Sequence, residues 1–124
     1  LKWANRFGVP PSLAVALVWV ESRYCPQAVG KAGEIGLGQV LPSTAKSMGI
    51  NPAYLYDPDW NLYASMRYLR GLYDRYRDWN LALAAYNAGP GRAHNPPPST
   101  QVYVYRVSYA ARFLAQRMEG GGRQ

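Results

Sequence analysis

The chain has 124 residues, enough for one domain built around a single core. Hydrophobic residues make up 48% and charged residues 17%, which excludes an intrinsically disordered chain. The formal net charge of +7 points to an anionic partner such as nucleic acid, a membrane surface or an acidic cell-wall polymer, yet the basic residues form no run of five or more.

Leu1 to Phe7 places Leu1, Trp3, Ala4 and Phe7 mostly at helical spacing, and Gly8 ends that short helix. Pro10 and Pro11 then precede eight consecutive apolar residues, Leu13 to Val20. A bilayer needs about twenty, so this run is a buried core helix. Proline is tolerated only before a helix or in its first turn, so the helix begins near Pro11 or Ser12. Pro26 is its expected stop, which puts Glu21 in its last turn. There the helix dipole and burial both oppose a carboxylate and raise its pKa. A carboxyl kept protonated near neutral pH is a general acid. The competing reading has Glu21 leaving the core surface and solvated, and this stretch by itself favours it.

Gln27 to Leu41 holds Gly30, Gly33, Gly36 and Gly38, which argues against regular structure. No GKS or GKT follows and no strand precedes, so a phosphate-binding loop is excluded. Gln39 ends the segment among apolar neighbours, either as a ligand-pointing amide or as a satisfied buried one. Pro42 to Met48 is a short helix stopped by Gly49. Asp57 caps, and Pro58 starts, a longer helix to about Tyr76. Its stripe of Leu62, Met66, Leu69 and Tyr73 faces the core, and Arg67, Arg70, Arg75 and Arg77 fall on or just after its solvated face. A short apolar helix from Asn80 to Ala88, capped by Asp78 or Asn80, ends at Gly89 and Pro90. Tyr86 and Asn87 therefore stand where a helix opens into a loop, a common place for binding residues. Four prolines between Pro90 and Pro98 predict a stiff, extended loop. Ser99 is the expected cap of the last helix, which runs to about Met118 with Tyr103, Val107, Ala110 and Leu114 on one face. Its remaining apolar residues predict that it is well buried, and spacing alone makes Tyr103 a core residue.

No segment alternates with period two and no repeat is present. The expected fold is all-α, with about six helices around one core. The domain spans residues 1–118, and 119–124 form a flexible tail. Cys25 is the only cysteine, so no internal disulfide forms, and it lacks the companions of a zinc site. His94 is the only histidine, which leaves no confident Ser-His-Asp or Cys-His arrangement. No signal peptide or transmembrane segment is visible, so the chain reads as a mature protein or an excised domain. Eleven tyrosines either fill the edges of a small core or offer flat faces for sugars or bases.

Four pieces occur in a fixed order: Glu21-Ser22 closing an apolar helix, Gly36-Leu37-Gly38-Gln39 followed by Pro42-x-Thr44-Ala45, Ala85-Tyr86-Asn87-Ala88-Gly89, and Tyr103-Val104 opening the last helix. In these the chain resembles, from about Ala4 to about Leu114, the catalytic domain of the soluble-type (SLT, family 1) lytic transglycosylases, which have a lysozyme-like helical fold with a substrate cleft. The resemblance favours a catalytic Glu21 over a solvated one. It implies non-hydrolytic cleavage of the β-1,4 bond between N-acetylmuramic acid and N-acetylglucosamine in peptidoglycan, in which the muramoyl C6 hydroxyl attacks C1 and leaves a 1,6-anhydro end. Glu21 matches the single catalytic carboxylate, and Tyr103 the tyrosine whose hydroxyl lies near it. Gln39, Tyr86 and Asn87 match substrate-contacting positions, and Ser22 a helix-end serine of structural role. No cofactor or metal is implied. The implied partner is the glycan strand rather than nucleic acid, with the positive charge drawing a monomeric domain to an anionic wall, in an extracytoplasmic or phage-associated setting.

Two positions depart from the family pattern. Gly30 stands nine residues after Glu21, where the family commonly has a serine with its hydroxyl toward the N-acetyl group. Its role would then fall to another donor: Ser22, a backbone N–H or Lys31. Gly38 replaces a methionine and removes an apolar wall beside the saccharide, which implies a wider or more mobile subsite. Most glycosidases use two carboxylates. Of the seven acidic residues only Glu34, in the Gly-rich segment, is placed to be a second one. It carries the alternative reading, a hydrolase resembling goose-type lysozyme. A non-catalytic peptidoglycan-binding module and a basic nucleic-acid-binding domain are the further alternatives.

Overall fold

The structure is a computed structural model that describes the backbone of residues 1–122 and the side chains of residues 1–117. It contains α1 (Lys2–Phe7), α2 (Pro11–Ser22), α3 (Pro42–Ser47), α4 (Pro58–Tyr76), α5 (Trp79–Ala88) and α6 (Pro98–Gly122). Two 3₁₀ turns, Pro52–Tyr56 and Pro90–Arg92, complete the regular elements, and the described residues form no strand beyond isolated bridges.

The helix starts follow the sequence signals. Pro11, Pro42 and Pro58 occupy first turns, where the missing N–H costs nothing. Asp57 accepts the Asp59 and Trp60 amides at the head of α4, and Asp78 accepts the Leu81 amide at the head of α5. Gly8 ends α1 in the left-handed region. α2 ends earlier than Pro26 predicts. Arg23 and Tyr24 both take positive φ, and the Arg23 amide closes the helix on the Trp19 carbonyl, so Ser22 is its last residue. α6 starts one residue before Ser99, with Pro98 as its first residue, so Ser99 is not its cap. The proline loop is not extended throughout, because Pro90 opens a 3₁₀ turn. α6 runs to Gly122, past the expected end at Met118, and Arg123 and Gln124 of the anticipated tail lie outside the described residues.

Two clusters of buried side chains replace the single expected core. The larger joins α1, α2, α4, α5 and α6 through Ala4, Leu13, Leu17, Met66, Leu69, Leu83, Tyr103 and Val107. The smaller lies on the other flank of α4 and gathers Ile35, Val40, Ala45, Ile50, Leu55 and Ala64. α6 is half-sunk rather than well buried: Tyr103 and Val107 face α2, whereas Val102, Tyr105, Tyr109 and Phe113 are exposed.

Between α2 and α3 the Gly-rich segment has only two isolated bridges, Val29 with Ile35 and Ile35 with Val40. Side chains from the helices hold it instead. Asn61 of α4 is fully buried and uses three of its hydrogen-bonding sites. Its Oδ1 accepts the Gly38 amide at 2.8 Å, and its Nδ2 donates to the Ile35 and Leu55 carbonyls at 2.8 and 2.9 Å. Ser22 donates to the Leu37 carbonyl at 2.8 Å, and Tyr86 to the Gly38 carbonyl at 2.6 Å. Gly36 has φ +78°, and a Cβ there would stand 2.5 Å from the Leu55 carbonyl oxygen. Asn61→Ala orphans the buried Gly38 amide and Leu55 carbonyl, each worth about 1–3 kcal/mol if unsatisfied, while the Ile35 carbonyl keeps the Val40 amide. We expect a loss of about 3 kcal/mol or more, read as a lower denaturation midpoint with unchanged m-value; a change below about 1 kcal/mol would show that water replaces the amide.

Candidate active site

Glu21 lines a cleft of about 480 Å³, whose other walls include Glu34, Gln39, Thr44, Tyr68, Tyr86 and Asn87. Five parts of the chain meet there: the last turn of α2, the Gly-rich segment, α3, α4 through Tyr68, and the C-terminal end of α5 with the residues that follow it. A second, mostly apolar pocket beside Trp3, Val18, Leu37 and Met66 carries no titratable group suited to acid-base work.

Burial raises the Glu21 carboxyl from 4.5 to about 7. The Tyr103 hydroxyl donates to Glu21 Oε2 at 2.8 Å and pulls the value down, while the negative charge of Glu34 pushes it up. Tyr103 is buried in the first turns of α6, and burial raises its phenol well above 10, as does the neighbouring Glu21 charge. It therefore stays a neutral donor. Glu21 is thus a half-buried acid, protonated for about half the time at neutral pH, with one oxygen fixed by Tyr103.

The other expected site residues fall into two groups. Gln39 takes φ +52°, unusual for a side chain with a Cβ. Its Nε2 donates to the Ala28 and Gly36 carbonyls at 3.2 and 3.0 Å, which offsets the strain and leaves Oε1 without a protein donor among the described residues. Gln39 is therefore both a satisfied amide and part of the cleft wall. Asn87 is exposed at the cleft edge, its Oδ1 accepting the Thr100 hydroxyl at 2.6 Å. Tyr86 lines the cleft but spends its hydroxyl on Gly38, and burial raises its phenol well above 10. Ser22 is buried and donates to backbone carbonyls of Val18 and Leu37, so its hydroxyl does not line the cleft. Lys31 is exposed.

The two glycines do not behave alike, and neither leaves a void. A Cβ on Gly38 would stand 2.5 Å from Ser65 Cβ and 3.0 Å from the Tyr86 hydroxyl. Ser65 and Tyr86 fill the place of the missing side chain, so the wider subsite expected at Gly38 is not present. A Cβ on Gly30 would stand 2.5 Å from Glu34 Oε1 and 2.7 Å from Gln39 Oε1.

The remaining carboxylates among the described residues are occupied elsewhere, and the Glu119 side chain lies outside those residues. Asp57 and Asp78 are caps, Asp59 pairs with Lys2 and Trp3, and Asp74 pairs with Arg70. Among the described residues no group of three or more His, Cys, Asp and Glu could hold a metal ion. Asn61 and Ser65 are the residues that the sequence reading missed. They interrupt the buried face of α4 four residues apart, and that interruption of an apolar stripe is the signal that marks them.

Residues 1–101 match the family model described as the transglycosylase SLT domain. A transglycosylase of Enterobacteria phage PRD1 is 39% identical over 72% of this chain and 33% of its own length. A membrane-bound lytic murein transglycosylase C of Haemophilus influenzae is 34% identical over 87% of this chain and 36% of its own length. The solved structure of an inactive variant of the lytic transglycosylase Slt from Pseudomonas aeruginosa superposes with a TM-score of 0.84 at 26% identity, covering 95% of this chain and 23% of that one. The chain spans about a third of the length of the curated relatives it matches.

The raised Glu21 value has a thermodynamic consequence. The folded state binds this proton more tightly than the unfolded chain, so its stability falls as pH rises from about 4.5 through about 7. Glu21→Gln removes the ionisation and keeps an acceptor for Tyr103. We expect the variant to match wild type near pH 4 and to exceed it by up to about 3 kcal/mol at pH 8 in urea denaturation. Parallel stability curves for the two proteins across this range would show that Glu21 is ordinarily solvated.

Proposed function

Because the chain belongs to the transglycosylase SLT domain family, we propose that it is the catalytic domain of a peptidoglycan lytic transglycosylase. The observation that carries the reading is an acid, Glu21, raised to about 7 in a cleft and oriented by Tyr103. Support comes from names as well, since the similar proteins are called transglycosylase and lytic murein transglycosylase.

The substrate is a glycan strand of alternating N-acetylmuramic acid and N-acetylglucosamine. Glu21 gives its proton to the bridging oxygen as the C1–O bond breaks, Tyr103 holding Oε2 so that Oε1 carries the proton. The resulting carboxylate then takes the proton of the muramoyl C6 hydroxyl as that oxygen bonds to C1. The product is a 1,6-anhydro end, and Glu21 returns to its starting state. No protein nucleophile is needed. Gln39, Tyr86 and Asn87 line the cleft where the strand would bind. The +7 charge would draw a monomeric domain to the anionic wall in an extracytoplasmic or phage-associated setting, and raised salt would weaken that association.

A hydrolase is the second reading, because Glu34 shares the cleft with Glu21. Mass spectrometry of fragments released from purified peptidoglycan separates the two. The lyase reading predicts 1,6-anhydromuramic ends, lighter by one water than reducing ends. Reducing ends would make the protein a muramidase, and wall binding without fragments would make it a binding module. Glu21→Gln should keep the fold and lose about three decades or more of turnover; substantial residual activity would remove Glu21 from its role. Tyr103→Phe removes the donor that favours ionised Glu21. Its rate should fall about tenfold and its alkaline limb move above wild type's. An unchanged pH profile would leave Tyr103 a packing residue.

A further inference from the structure

We propose that Glu34 is a second catalytic residue, whose carboxylate accepts the N–H of the substrate's 2-acetamido group and stabilises the charge that develops there. The proposal rests on the lyase reading above.

Three observations lead to it. Glu34 lines the same cleft as Glu21 and is half-buried, and among the described residues it forms no ion pair. Its Oε1 accepts the Ala32 amide at 2.8 Å, so the side chain is folded back over its own turn rather than extended into water. The carboxylate and Gln39 Oε1 also converge on one point. Both lie within 2.7 Å of where a Cβ on Gly30 would stand. The Gln39 amide nitrogen is already committed to two backbone carbonyls, so its oxygen can only accept. That point belongs to Gly30 and admits no ligand atom, and Glu34 Oε1 already has the Ala32 amide; Gln39 Oε1 and Glu34 Oε2 are the two oxygens on these cleft-lining side chains with no protein donor among the described residues. Such a pair calls for a donor from the ligand. Each sugar of the proposed substrate carries an amide N–H on its acetamido group, next to C1.

The chemistry gives that contact a catalytic sign. As the C1–O bond breaks, its electron pair goes to the leaving oxygen, which takes the Glu21 proton. The acetamido carbonyl oxygen bonds to C1, and positive charge spreads onto the amide nitrogen. The N–H keeps its proton but becomes a stronger donor, so its hydrogen bond to the Glu34 carboxylate strengthens between ground and transition state. When O6 displaces the carbonyl oxygen from C1, that electron pair returns to the amide, and the O6 proton goes to Glu21. Glu34 neither gains nor loses a proton over the cycle. Its charge also favours the protonated form of Glu21 that starts the cycle. Gly30 is bare on this account because the carboxylate occupies its side-chain space.

The test compares kcat and KM of wild type, Glu34→Gln, Glu34→Ala and the Gly30→Ser/Glu34→Ala double variant on purified peptidoglycan, with products read by mass spectrometry. Glu34→Gln keeps an acceptor for Ala32 and loses the charge. We expect kcat to fall about 10- to 100-fold with KM within about threefold. Glu34→Ala should fall further, and the double variant should recover part of the loss, since the serine then takes the place of the carboxylate while the Gln39 amide oxygen, 2.7 Å from the new Cβ, shifts aside. Glu34→Gln turning over within about twofold of wild type would overturn the proposal while anhydro products left the lyase reading intact. Loss in Glu34→Ala matched by lost thermal stability, with no recovery in the double variant, would likewise overturn it and make Glu34 a loop brace. Reducing ends from wild type that disappear in Glu34→Gln would overturn both readings, because Glu34 would then position a water.

Discussion

The cleft depends on side chains that replace a missing backbone ladder. The segment from Gln27 to Leu41 has too many glycines to form a helix and too few pairings to form a sheet. Buried peptide groups still need partners, and here Asn61, Ser22 and Tyr86 supply them from three different helices. The segment is therefore fixed by α2, α4 and α5 together. Those same helices position the site. Ser22 follows Glu21 and Tyr86 precedes Asn87, so two of the braces adjoin residues that line the cleft, and Gly38, which Asn61 and Tyr86 hold, precedes Gln39. Gly38 and Ser65 are small because the loop and α4 approach to near contact at that point.

On that frame the electrostatics are set by burial. Taking Glu21 out of water disfavours its charge, and Glu34 adds a like charge in the same direction. Tyr103 opposes both, but its phenol is too deeply buried to ionise and can only donate. The balance falls near neutrality, where a carboxyl can both give and take a proton within one cycle. Packing of α6 against α2 brings the two groups together, although 82 positions separate them in sequence. The face of α6 that carries Tyr103 and Val107 is buried for this purpose, and the opposite face, with Tyr105 and Phe113, is not.

The sequence was most legible where local chemistry decides. Prolines and aspartates marked the starts of α2, α4 and α5, and the short apolar run set α2 with Glu21 in its last turn. Residue spacing did not identify the partners of Glu21. By spacing Tyr103 was core, and only the family resemblance placed its hydroxyl near the carboxylate. Asn61 was hidden because a buried asparagine makes sense only when the carbonyls it serves are known, and these belong to Ile35 and Leu55. Gly38 was misjudged for a related reason. A missing side chain reads as space, whereas here Ser65 and Tyr86 fill it. The end of α2 was placed late because Pro26 is a visible stop, while the left-handed turn at Arg23 and Tyr24 carries no glycine to announce it.

The central claim is that the fold keeps Glu21 a carboxylic acid near neutral pH. Its most direct test is a pH titration of the side-chain carboxyl carbons in protein labelled with ¹³C at glutamate, with Glu21 assigned by the signal that disappears in Glu21→Gln. The account predicts a midpoint near 7 for Glu21. A midpoint near 4.5 would mean a solvated carboxylate, and the acid on which the proposed chemistry turns would be absent.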